Sequence, residues 1–105
     1  MEKTQMLKGI LEGAILAILT KEEIYGYEMV KRLEAYGLNS VSDGSIYPVL
    51  LKLQKQGHIE GIKKKSSEGP TRKYYYLTDQ GKKELTHFKK QWQELAAGVN
   101  HLLEE

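Results

Sequence analysis

Five cations, Lys63, Lys64, Lys65, Arg72 and Lys73, flank a Gly-Pro turn in the stretch KKKSSEGPTRK. Like charges crowded onto one short projection repel, and a phosphate backbone relieves that repulsion while releasing counterions. Upstream, the stretch SDGSIYPVLLKL sets Ile46, Val49, Leu50 and Leu53 at the i, i+3, i+4, i+7 spacing of a helix. With that row turned inward, at about 100° per residue, Gly44, Pro48, Leu51 and Lys55 fall on the opposite face, with Tyr47 and Lys52 on its flanks. Such a surface offers the Ser45 hydroxyl, the Tyr47 phenol, an apolar side chain able to meet a thymine methyl (Leu51) and two cations, which suits a duplex groove. The candidate DNA-binding set is Ser42, Ser45, Tyr47, Leu51, Lys52, Lys55, Lys64, Lys65, Thr71, Arg72 and Lys73.

Other chemistries find little material. The chain has 105 residues and no cysteine, so it holds neither a disulfide framework nor a thiolate nucleophile. His58, His87 and His101 share no metal-ligand spacing, and the adjacent Glu22 and Glu23 would point apart on any helix. No metal, cofactor or enzymatic role is expected. The N-terminal apolar stretch is interrupted by Lys8, Gly9, Glu12 and Gly13, which argues against a signal peptide or membrane span and for a cytoplasmic protein. Net charge is only +2, yet residues 42–83 hold nine Lys or Arg against four Asp or Glu. The cationic excess lies in the segment that carries the candidate set, as an electrostatic footprint for a polyanion would.

These residues need elements to hold them. Ile10, Leu11, Ala14, Ile15, Ile18 and Leu19 predict a mostly buried helix over 8–19, and Tyr27, Val30 and Leu33 one side of a second helix over about 25–36, stopped by Gly37. Val41 is a candidate for a very short strand. A third helix is expected from the N-cap Ser42 to Gly57, with Asp43 favourably placed in its first turn. Pro48 removes one bond of that helix, but on the outward face, where the freed Gly44 carbonyl can be solvated; a distorted start is expected. Strands follow at about 59–65 and 72–77, joined by the turn-forming SSEGPT, with Tyr75 and Leu77 inward and Tyr74 and Tyr76 on the other face. After the cap Thr78, a final helix carries Leu85, Phe88, Trp92, Leu95, Val99 and Leu102 at alternating spacings of three and four, a coiled-coil-like seam. The fold class is mainly α with a small β-hairpin, in the element order of a winged helix-turn-helix with one further helix.

The string GSIYPVLLKLQKQGHIE, preceded by IYGYEMVKRL and followed by GPTRKYYYLTDQG, closely resembles the PadR family of bacterial transcriptional regulators from about Gly9 to Trp92. That resemblance implies a homodimeric repressor whose third helix enters the major groove of an operator while the hairpin wing touches the flanking backbone. Residues 1–78 would be the DNA-binding domain and 79–105 a dimerisation helix, with Leu7, Leu11, Leu85, Phe88, Trp92, Leu95, Val99 and Leu102 between protomers. The short tail is similar to the compact branch of the family, in which a multidrug-binding repressor stacks flat aromatic drugs between paired tryptophans. On that likeness Trp92, Phe88, Ile10 and Leu95 are candidate contacts for a small aromatic effector, although filling the seam is the plainer role for Trp92. A competing reading keeps the scaffold as a small-molecule or protein-interaction module without specific DNA binding.

Overall fold

The computed structural model describes residues 3–39, 41–65 and 69–104. It comprises α1 (Lys3–Leu19), β1 (Ile24–Tyr25), α2 (Gly26–Ala35), α3 (Asp43–Lys55), β2 (Ile59–Lys65), β3 (Thr71–Leu77) and α4 (Asp79–Leu103). The three strands form an antiparallel sheet in the order β1-β3-β2. Ile24 faces Tyr75 across β1 and β3, and the wing runs in register from Ile59 opposite Leu77 to Lys65 opposite Thr71. Ser66, Ser67 and Glu68 of the expected turn lie outside the described residues.

Several elements differ from the sequence-based expectation. Val41 belongs to no strand; it packs partly buried against the core, and the additional strand is Ile24–Tyr25. Two residues are too few for an alternation signal, and this pair becomes a strand because β3 offers it a free edge. Tyr25 is thereby removed from α2, which begins at Gly26. On α2 the inward residues are Met29 and Leu33, with Val30 partly buried, whereas Tyr27 is 56 % exposed. Helix α1 starts at Lys3, five residues before the expected position, and buries Leu7 one turn before Leu11.

The third helix keeps its pattern. Ile46, Leu50 and Leu53 are buried, while Gly44 and Pro48 are exposed on the other side. The helix runs through Pro48 without interruption, because the freed Gly44 carbonyl is on the exposed face, where water can donate to it in place of the missing N–H. Ser42 caps it, its hydroxyl accepting from the Ser45 N–H at 3.3 Å. It ends at Lys55, two residues before the expected Gly57. That glycine (φ 79°) sits just beyond the end and lets the His58 N–H reach back to the Leu53 carbonyl and its own N–H to that of Gln54.

One core joins every element: Leu11, Ile15, Leu16, Ile18 and Leu19 from α1, Met29 and Leu33 from α2, the α3 row, Ile24, Ile59, Tyr75 and Leu77 from the sheet, and Leu85 from α4. Fully burying each aliphatic side chain contributes about 1.5–3 kcal/mol. Helix α4 is anchored by its first turn. The Thr78 hydroxyl accepts from the Gly81 N–H at 3.0 Å and lies 2.6 Å from the Gly57 carbonyl oxygen, while the Thr78 N–H donates to the His58 carbonyl at 3.1 Å. Gly81 is buried against that same carbonyl; a Cβ there would overlap the His58 oxygen and come within 2.7 Å of Leu77 Cδ1. One turn beyond Leu85, Phe88 lies over Gly13 of α1, where a Cβ would sink into the ring. The remainder of α4 projects, and the molecule measures 55 × 28 × 21 Å. Gly81→Ala is expected to cost about 1–3 kcal/mol in denaturant unfolding, since the carbonyl it strikes is fixed by two strands and a cap.

Candidate nucleic-acid interface

The outward face of α3 presents Ser45, Tyr47, Leu51, Lys52 and Lys55 to solvent, Tyr47 and Leu51 each about half exposed. Ser42 is exposed too, but its hydroxyl serves the helix cap and shares a further bond with Ser45 Oγ at 3.1 Å. Lys52 is tied across to α1, its Nζ 3.2 Å from Glu12 Oε2. This row is carried by the buried opposite row of the same helix, so core packing sets its orientation.

The wing stands beside that helix. Its register sets Lys63 opposite Lys73 and Lys64 opposite Arg72, cross-strand pairs of like charge that weaken a hairpin. Three contacts relieve this. Lys64 pairs with Glu23 from the loop before β1. Lys73 lies on the strand face shared with Tyr75 and reaches α3, where its Nζ donates to Gln54 Oε1 at 3.2 Å. Arg72 lies on the other face with its guanidinium 4.4 Å above the Tyr25 ring. Lys65 and Thr71 are exposed at the far end of the strands. Lower on the wing, Tyr76 donates to Glu60 Oε2 at 2.6 Å, and that bond holds its phenol above the usual tyrosine pKa.

Where α2 begins, α3 and β3 meet around an open cleft of about 540 Å³ lined by Tyr25, Gly26, Tyr27, Tyr47, Arg72, Lys73 and Tyr75. Gly26 lets the elements close up there, since a Cβ would stand 3.2 Å from the Tyr47 ring and 3.4 Å from both Leu50 and Tyr75. The rings of Tyr25 and Tyr27 are parallel at 6.2 Å, and Tyr74 meets Tyr25 edge-on at 5.6 Å. Burial, and secondarily Tyr47, pushes the Tyr75 phenol up, so it stays protonated and neutral well beyond ordinary pH. The structure thus brings Tyr47, Arg72 and Lys73 of the sequence-derived set to one place. Sequence reading missed Tyr25, Tyr27, Glu12 and Glu23. Only the YGY of residues 25–27 hinted at the first two, and the carboxylates lie far along the chain from the lysines they meet.

A second surface lies at the other end of the molecule. Trp92, Leu95, Val99 and Leu102 of α4 and Met6 of α1 are 45–85 % exposed. Between the two helices Met6, Ile10, Trp92, Leu95, Ala96 and Val99 border an apolar cleft of about 560 Å³. Ile10, Trp92 and Leu95 of the expected effector set meet here, whereas Phe88 borders an adjoining cleft and packs on Gly13. Leu7, Leu11 and Leu85, expected between protomers, are 4–6 % exposed within the single chain. They are spent on its own packing and offer almost no surface to a partner. The histidines stay dispersed, and among the described residues no three His, Asp or Glu side chains gather as a metal site. Nor, among those residues, is any helix long and apolar enough to cross a membrane.

The profile of the transcriptional regulator PadR-like family matches residues 15–87. A PadR-like transcriptional regulator from Bacillus cereus is similar at 52 % identity and TM-score 0.87, over 96 % of this chain and 98 % of that one. A Streptococcus transcriptional regulator is similar at 39 % identity and TM-score 0.85, over 97 % and 100 % of the two chains. A PadR family regulator from Eggerthella lenta follows at 33 % identity and TM-score 0.84, over 96 % and 88 %.

Proposed function

The chain belongs to the PadR-like family of transcriptional regulators, which are not enzymes, and on that premise we propose that it represses transcription as a homodimer on an inverted-repeat operator. The observation that carries this reading is the joining of the α3 outer face to the wing, through Lys73 on Gln54 and the cleft that Tyr47 shares with Arg72. A groove-sized helix beside a cationic strand pair matches a duplex, whose major groove admits a helix and whose phosphates flank it. Within this reading Ser45 and Leu51 meet base edges, and Tyr47 stands beside them at the DNA surface. Lys52, Lys55, Lys64, Lys65, Thr71, Arg72 and Lys73 meet phosphates, and Ser42 acts through the cap. Lys52 and Lys64 exchange Glu12 and Glu23 for phosphate oxygens at little cost, because exposed ion pairs contribute only about 0–1 kcal/mol.

The second copy covers the apolar arm. Phe88, Trp92, Leu95, Val99 and Leu102 then form a two-helix seam, placing the two α3 helices about 34 Å apart, one duplex turn. The apolar cleft beside Trp92 supports a further role, that of taking a flat hydrophobic effector. Such a ligand releases DNA only to the extent that it binds the released state more tightly than the bound one.

Three measurements test these statements. Operator affinity is expected to fall linearly on a log–log salt plot, and Lys65→Ala to weaken all DNA alike and reduce that slope by about 1 per protomer. Leu51→Ala should instead weaken the operator alone; loss of neither kind overturns the reading. Leu95→Glu, at a position 61 % exposed in the single chain, should give a folded monomer by sedimentation that has lost operator affinity. Planar apolar compounds should quench Trp92 fluorescence and lower operator affinity at matching concentrations, whereas quenching without release would assign the cleft to packing alone.

A further inference from the structure

The cleft between α2, α3 and the wing has a lining unlike the rest of the cationic face. Of its seven residues two are cations, four are tyrosines and one is glycine, with no carboxylate. Elsewhere several cations are paired with carboxylates, among them Lys52 with Glu12, Lys64 with Glu23 and Arg32 with Glu22. Among the described residues Arg72 has no carboxylate within ion-pair distance. It is instead held 4.4 Å over the Tyr25 ring, itself parallel to Tyr27. Stacking fixes a guanidinium plane through its face and leaves its N–H donors available for an oxyanion. No hydrogen bond within the described residues uses the hydroxyls of Tyr25, Tyr27 or Tyr47 either. Arg72 and three tyrosines thus bring donor groups without carboxylate partners to the lining of one acid-free hollow.

We propose that this hollow seats one phosphate of the DNA backbone, gripped by the Arg72 guanidinium and the hydroxyls of Tyr25, Tyr27 and Tyr47. The assignment rests on the DNA-binding reading above and extends it to residues of β1 and α2. A base fits less well than a phosphate, since an open hollow lined by donor-bearing residues of β1, α2, α3 and β3 suits an oxyanion with several acceptor oxygens rather than a planar edge. The location sets the consequence. Tyr47 stands on the helix that reads the groove and Arg72 on the wing, so a phosphate held by both fixes the helix's register along the duplex, while Lys63 and Lys65 supply diffuse attraction.

The test uses the intact protein and an operator obtained by selection from random duplexes, remade with single phosphates replaced by neutral methylphosphonates. For the wild type, neutralising one phosphate in each half-site is expected to lower affinity about tenfold or more. In Arg72→Ala, whose unfolding is checked in parallel, the same replacement should cost nothing further, and in Tyr47→Phe it should cost less than in the wild type. Lys65→Ala, outside the cleft, should leave the full penalty in place. Arg72→Lys, which keeps the charge but not the fork, should recover only part of the lost affinity. If the Arg72→Ala loss simply adds to that of every methylphosphonate, the seat is overturned while DNA binding stands; if no duplex is selected at all, the functional reading fails first. Inorganic phosphate and sulfate at matched ionic strength should weaken binding equally. Competition by phosphate alone, persisting on the methylphosphonate duplex, would make this a free-anion site and overturn the backbone assignment.

Discussion

The architecture depends on one close approach, that of the first turn of α4 to the carbonyl of His58. This carbonyl follows the glycine stop of α3, precedes the first residue of β2 and accepts the Thr78 N–H that ends β3. Gly81 lies against it with no room for a side chain, and the Thr78 hydroxyl caps the helix beside it. Helix α3, the wing and the projecting helix therefore leave from a single backbone point. Their relative directions are set by packed atoms and hydrogen bonds rather than by a linker, so the distance between the cationic face and the apolar arm is built into the chain.

On the cationic face, charge is distributed unevenly in its commitments. A hairpin with lysine opposite lysine and lysine opposite arginine is strained by its own repulsion, and each pair has found a different relief. Glu23 and Glu12 neutralise Lys64 and Lys52 through exposed pairs that water and salt keep weak. Lys73 takes a neutral amide and Arg72 an aromatic face. Weak carboxylate partners orient the lysines yet release them readily. An aromatic partner holds the arginine without using its donors, which is a different kind of preorganisation.

The opposite end of the molecule follows the logic of the hydrophobic effect. Helix α1 is apolar over more than one face: its inner row joins the core, while Met6 and Ile10 turn toward α4. Phe88 on Gly13 brings the two helices together, and beyond that crossing Trp92, Leu95, Val99 and Leu102 of α4 are exposed. The exposed row from Trp92 to Leu102 is contiguous and apolar, a surface that soluble chains seldom leave bare.

What the sequence determined by itself was carried by short-range spacing. The α3 core row, the outward Pro48, the caps at Ser42 and Thr78, the inward Tyr75 and Leu77 and the seam of α4 all follow from periods of 3.6 and 2 and from local cap chemistry. Tertiary structure decided the rest. It made a strand of Ile24–Tyr25 by offering an edge of β3, turned Tyr27 outward and placed it beside Tyr25, Tyr47 and Arg72. It likewise drew Leu11 and Leu85 into the chain's own core and brought Glu12 to Lys52 and Glu23 to Lys64 across some forty residues. A helical or strand period states which residues share a face. It does not state which face meets which, because that depends on how separate elements divide one buried volume among them.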